Sequence, residues 1–192
     1  MRRRPEELSV GEWAVLGLLA EGPSHGFALA RALAPDGEVG RVWSLRRPLV
    51  YRTIDVLRRR GLVAPVGTED SDAGPQRVMV EATATGARRL EAWLAQPVEH
   101  VRDTRAPLML KLLFLDRRGD DPRRLLEAQR LTFEEIAIEL RGDLEGQEGF
   151  TRTLLAWRLE STSGALRFVE GLLAADPPPE PGARAPAAEA PP

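Results

Sequence analysis

The 192-residue sequence contains no cysteine. Disulfides, thiolate metal sites and a cysteine nucleophile are therefore excluded, and a reducing compartment is compatible with that absence. Histidine is scarce too. His25 and His100 are the only two, and their separation matches no HExxH or other ligand spacing, so no metal site is expected. There is no GxxxxGK[ST] or GxGxxG loop to hold nucleotide phosphates, hence no cofactor is expected either. No nucleophile and base can be assembled from what remains, and the chain reads as something other than an enzyme. Apolar runs are short: charges interrupt every stretch longer than about ten residues, well below the roughly 18 that a membrane span needs. Arg2, Arg3 and Arg4 are followed by Glu6 and Glu7, where a signal peptide would place its apolar segment. A cytoplasmic protein without membrane contact is expected. Lysine is nearly missing as well, with Lys111 set against 26 arginines; an Ala/Gly/Pro/Arg-rich background accounts for that ratio.

What is present is an uneven charge pattern around a real apolar content of 43%. The chain carries a net charge of -2. Residues 1–97 hold 14 basic and 12 acidic residues, giving +2, and residues 98–192 hold 13 and 17, giving -4. Within residues 41–60 seven arginines face the single acid Asp55, a local +6. A concentration of that kind on one short segment points to a polyanionic partner.

The spacing of apolar residues predicts a helix over Leu8–Leu19, with Ser9 as its N-cap and Gly22-Pro23 as its stop. A second helix is expected from about His25 to Leu33, capped by Ser24 and ended by Pro35 and Gly37. Pro48 suits the first turn of a third helix, in which Val50, Ile54 and Leu57 recur on one face until Gly61 closes it. Two β-prone runs, Leu62–Val66 and Arg77–Ala82, flank the turn-rich residues 67–76 and read as a two-stranded wing. A helix over Thr85–Ala95 and then Pro97 close this unit. The rest is helical throughout: about Pro107–Asp116, Pro122–Leu144 and Phe150–Ala174. The last helix has two apolar stripes, one through Phe150, Leu154, Trp157, Ala165, Phe168 and Leu172, the other through Leu155, Leu159, Leu166, Val169 and Leu173. Two buried faces need two partners, its own domain and a second subunit. From Asp176 onward Pro, Ala and Glu dominate without apolar anchors, the composition of a disordered tail.

The fold class is thus mainly α: a winged helix-turn-helix of three helices plus a two-stranded wing over residues 1–97, a helical dimerisation domain over 98–175, and the tail over 176–192. Helix, helix, helix, hairpin is the order that places a third helix in the DNA major groove. The candidate DNA-binding residues on and beside this helix are Arg46, Arg47, Pro48, Tyr51, Arg52 and Arg58. Arginine offers bidentate donors to guanine edges and phosphates, and Tyr51 can give a hydroxyl to a phosphate. Asp55 is expected to pair with Arg59 one turn on, and Arg59 and Arg60 can equally complement the helix C-terminal dipole. Leu154, Trp157, Leu166, Phe168 and Leu172 are the candidate dimer interface. Phe114, Trp157 and Phe168 could line a small-molecule effector cavity, although core packing explains them equally well.

Several stretches together resemble the PadR family of bacterial regulators over about residues 8–175. They include Val15-Leu16-Gly17-Leu18-Leu19, Gly22-Pro23-Ser24-His25-Gly26-Phe27, Val50-Tyr51-Arg52-Thr53-Ile54-Asp55-Val56-Leu57, Gly74-Pro75-Gln76-Arg77, Thr83-Ala84-Thr85-Gly86 and Pro97-Val98-Glu99-His100-Val101-Arg102-Asp103. The order and spacing of these pieces carry the match. The resemblance implies a homodimeric repressor of double-stranded DNA, with a palindromic operator and release by a small molecule. It also implies that Tyr51 is the recognition-helix tyrosine and that Arg77 contacts the DNA backbone. Met79 sits where the family often has an aromatic, Phe27 replaces a frequent tyrosine, and the acidic wing tip, Glu69, Asp70 and Asp72, would repel phosphates. A different class of reading is a winged protein-interaction module without sequence-specific DNA binding, which the acidic tip and net negative charge favour.

Overall fold

The computed structural model describes residues 7–69 and 76–175. The wing-tip residues Asp70 and Asp72 and the proposed tail from Asp176 lie outside them. The described chain is mainly helical with one small sheet.

Helix α1, Val10–Ala20, begins with a reciprocal capping box. The Ser9 side chain accepts the Glu12 amide and the Glu12 carboxylate accepts the Ser9 amide. Nearly every residue of α1 is buried, because neighbours pack on all sides of it. Helix α2, Gly26–Ala32, is capped by His25, whose Nδ1 accepts the Ala28 amide at 3.1 Å. The expected cap, Ser24, lies instead in a short strand β1, Ser24–His25. Helix α3, Arg47–Arg59, carries Pro48 in its first turn, where a missing amide hydrogen costs nothing. Strand β2, Val63–Glu69, and strand β3, Arg77–Ala82, form the wing hairpin. The sheet has three antiparallel strands in the order β1-β3-β2 rather than two, with His25 opposite Met79 and Glu69 opposite Arg77. Helix α4, Ala84–Ala95, is capped by Thr83, whose hydroxyl accepts the Gly86 amide and donates to the Gly61 carbonyl.

A 3-10 turn at Val101–Thr104 precedes helices α5, Pro107–Arg118, α6, Arg123–Leu144, and α7, Gly149–Ala174. Gly119 ends α5 in the left-handed region that glycine tolerates. Two apolar clusters result. The first joins α1 to α4 and the sheet with Leu110 and Phe114 of α5, and the second gathers Val98, Leu108, Leu125, Leu126, Phe133 and Val169. Helix α5 therefore contributes to both cores. The fully buried Gln129 amide clamps the Val98 backbone, accepting from its nitrogen at 2.7 Å and donating to its carbonyl at 3.0 Å. No described helix is long and apolar enough to cross a membrane.

Candidate nucleic-acid interface

The amphipathicity of α3 sorts its residues cleanly. Val50 and Leu57 are fully buried and Ile54 packs beside them. Arg46, Arg47, Pro48, Tyr51, Arg52, Asp55, Arg58 and Arg59 all face solvent. The outward face thus concentrates positive charge on one rigid rod with a core-locked back. Arg46 and Arg52 make no ion pair, hydrogen bond or ring contact within the described residues, so their donors are available. Arg58 is different. It pairs with Asp55 at 3.2 Å, and Asp55 does not reach toward Arg59 as the one-turn spacing predicts. Arg58 consequently shares its charge with a carboxylate. Arg60 comes within 3.9 Å of Glu12 and so is tied back toward α1.

Tyr51 is 42% exposed, and its ring lies against Gly26: a Cβ there would stand 2.5 Å from the tyrosine ring. The missing side chain of Gly26 makes the room that fixes the ring of Tyr51 and leaves its other face to solvent. Between α2, α3 and the sheet lies an open cleft of about 620 Å³. Its lining includes His25, Phe27, Arg47, Tyr51, Asp55, Arg58 and Arg77. Arg77 enters from the wing and approaches His25 Nε2 at 3.4 Å. The Nδ1 of His25 accepts the Ala28 amide, so in the neutral ring the proton sits on Nε2. That proton faces Glu69, whose carboxylate is 3.5 Å away. One acid of the predicted wing tip is thereby turned onto the base of the wing. Sequence reasoning passed over Phe27 as part of this surface; its signal was an apolar residue out of phase with the buried Gly26 and Leu29 of its own helix.

The other predicted residues separate by face. Leu154, Trp157, Phe168 and Leu172 are exposed on α7, at 42, 65, 42 and 37%. Leu166, placed in the same group on sequence grounds, packs inward against the second core, as does Ala165. Phe114 is buried at 1% exposure, with its ring seated on Gly17 of α1. It is core of the first cluster, packed against α1, which corrects its place among effector-lining residues. No group of three or more ligating side chains arises among the described residues.

Residues 15–92 match the profile of the transcriptional regulator PadR-like family. That stretch is similar to the PadR-like family. The match runs from α1 through both wing strands into α4, so the whole arginine face lies within the PadR-like region. No curated protein sequence matches the chain. Among solved structures, the chain resembles Bacillus subtilis PadR in complex with operator DNA at 22% identity, over 88% of this chain and 98% of that one, with a TM-score of 0.46. The protein smu.1604c of Streptococcus mutans aligns at 17% identity, over 86% and 99%, with a TM-score of 0.40. The PadR-like regulator BC1756 of Bacillus cereus aligns at 18% identity, over 85% and 95%, with a TM-score of 0.37.

Proposed function

We propose that this PadR-like transcriptional regulator acts as a cytoplasmic, homodimeric repressor that reads a palindromic operator in duplex DNA. The observation that carries the reading is the outward arginine face of α3, with Arg46 and Arg52 unpaired among the described residues, backed by a buried apolar seam, with Arg77 alongside on the wing. Arg52, Arg47 and Arg46 enter the major groove or flank it, Pro48 starts the helix at the groove edge, and Tyr51 gives its hydroxyl to a phosphate. Arg77 takes the backbone beside the wing, while Arg58, shared with Asp55, contributes less. Dimerisation is supported by the outward stripe of α7, where Phe150, Trp157 and Phe168 stand in water. Apolar side chains of that size at helical spacing gain from meeting a second copy. A small apolar effector seated beside Trp157 and Phe168 would relieve repression by altering how the two winged domains are held apart.

An unbiased selection from random duplexes tests the reading. Enrichment of an inverted repeat, with half-sites one helical turn or a multiple apart, is the expected result. No enriched sequence would move the protein to the interaction-module class. Against the selected site, Arg52→Ala is expected to weaken binding about tenfold or more and to lower the salt slope by about 0.9 for one lost phosphate contact. Fluorescence anisotropy across a salt series reads both quantities. An unchanged affinity and slope would remove α3 as the recognition helix.

A further inference from the structure

Phe27 stands 46% exposed near the start of α2, in a position where burial does not account for a large apolar ring. It is nevertheless surrounded by charge. The Arg47 guanidinium lies 5.3 Å from the ring centroid and the Arg77 guanidinium 5.5 Å from it. These two arginines come from different elements, one opening the helix α3 and the other opening the wing strand β3. The His25 ring stacks on Phe27 at 6.3 Å with an interplanar angle of 24°. His25 is itself held by accepting the Ala28 amide, so the ring beneath the two arginines rests on a fixed support.

A free arginine side chain loses rotamer entropy when it is immobilised. An aromatic face removes part of that cost in advance, because it holds the flat guanidinium while leaving the N–H edges free to donate. Two cations gathered at one ring also repel each other. An anion bridging them would cancel that repulsion and take up both sets of donors.

We propose that Phe27 is a positioning residue that ties Arg47 and Arg77 into one seat for a DNA phosphodiester, linking the recognition helix to the wing. The proposal rests on the DNA-binding reading and adds to it a residue that never needs to touch a base. It makes the geometry of the helix and wing arginines a single property, set from α2.

The test uses the full chain and a fluorescein-labelled mixed-sequence duplex at about 50 mM salt, where phosphate contacts dominate binding and weakened variants remain measurable. Phe27→Ala is expected to lose about tenfold in affinity, the worth of two exposed cation-π contacts. Phe27→Tyr, which keeps the ring, should bind within about twofold of the parent. In an Arg47→Ala/Arg77→Ala background, Phe27→Ala should cause no further loss; a further loss there would mean that Phe27 contacts DNA itself or supports the fold, and the proposal would be overturned. A second measurement needs no DNA. The δ protons of Arg47 and Arg77 should carry ring-current shifts that shrink in Phe27→Ala and persist in Phe27→Tyr; Arg47 keeps the part due to Tyr51, whose ring centroid is 5.9 Å from its guanidinium. Unchanged shifts in Phe27→Ala would overturn the proposal even if the parent binds DNA as described. Absence of salt-sensitive binding by the parent would instead overturn the DNA reading, and the phosphate seat with it.

Discussion

Gly17 lies where the first core leaves no volume. A Cβ at this position would stand 2.3 Å from the Phe114 ring, and that ring is 1% exposed and has no empty side to move into. Two effects of Gly17→Ala oppose each other. Alanine favours the helix by about 1 kcal/mol, and overpacking a tight core costs about 1–3 kcal/mol. The contact is with the body of a buried ring, so the second effect wins. A net destabilisation of about 1–2 kcal/mol is expected in urea unfolding. Adding Phe114→Leu should recover part of that loss, because the two sites share one space. If Gly17→Ala is neutral or stabilising, the ring and helix are not in the contact described. The same closeness explains why Phe114 is unsuited to an effector wall: its ring is part of the joint between α1 and α5.

At the level of elements, α7 presents a pattern with a built-in two-fold. Its outward stripe runs Leu154, Trp157, Ser161, Gly164, Phe168, Leu172, which is large, large, small, small, large, large. An antiparallel second copy centred between Ser161 and Gly164 would set Trp157 against the partner's Phe168 and Leu154 against the partner's Leu172. The small residues at the centre would let the helices approach closely. In that arrangement a cysteine at 161 lies within disulfide reach of its symmetry mate, about 4.4–6.8 Å between Cα atoms. The chain has no native cysteine to interfere. Ser161→Cys should therefore form a covalent dimer under mild oxidation, on a non-reducing gel, while Phe150→Cys at the end of the stripe should not. The reverse outcome would rule out this antiparallel register.

Most of these helices were legible because apolar spacing and start and stop signals agree, as with Pro107 opening α5 and Gly61 closing α3. Three features were not. The two-residue strand β1 has no periodicity to announce it, and it exists only because β3 offers Ser24 and His25 a paired edge. The His25 cap was assigned to Ser24, since imidazole is a rare substitute for a hydroxyl at that position. On α7 two stripes were visible, but which one faces inward depends on α6 and the second core; that is why Leu166, one turn before the buried Val169, changed sides. The arginine face of α3 was readable because the buried Val50 and Leu57 determine what must point outward. The contacts of Phe27 were not, because they join three elements distant in sequence.

Across the whole molecule, α5 decides how the winged half is carried on the helical half. It sends Leu110 and Phe114 into one core and Leu108 into the other, and Arg117 ties its end to Glu21 and Glu38 while Arg118 binds Glu91. The single lysine lies in the middle of this helix. Lys111 is buried, donates to the Trp93 carbonyl and places its nitrogen 4.1 Å from the centre of the Trp93 ring, which stacks in turn on Trp13. Arginine could not substitute here, because it cannot shed its charge on burial. Burial lowers the lysine pKa from 10.5 to about 7. Between those values the unfolded chain holds a proton that the folded chain has released, so stability rises with pH from about 7 toward 10.5, by up to about 1.4 kcal/mol per unit. Below about 7 both forms are charged and this contribution is constant at its lower level. Urea unfolding of the parent and of Lys111→Met, at one fixed protein concentration because the stability of any self-associating chain depends on it, isolates the effect from other titrating groups. The parent should gain on the variant as pH rises from about 7 to 9.5. A difference that stays flat would mean that the carbonyl and ring of Trp93 keep the ammonium charged inside the joint, and that α5 links the two halves equally well at every pH.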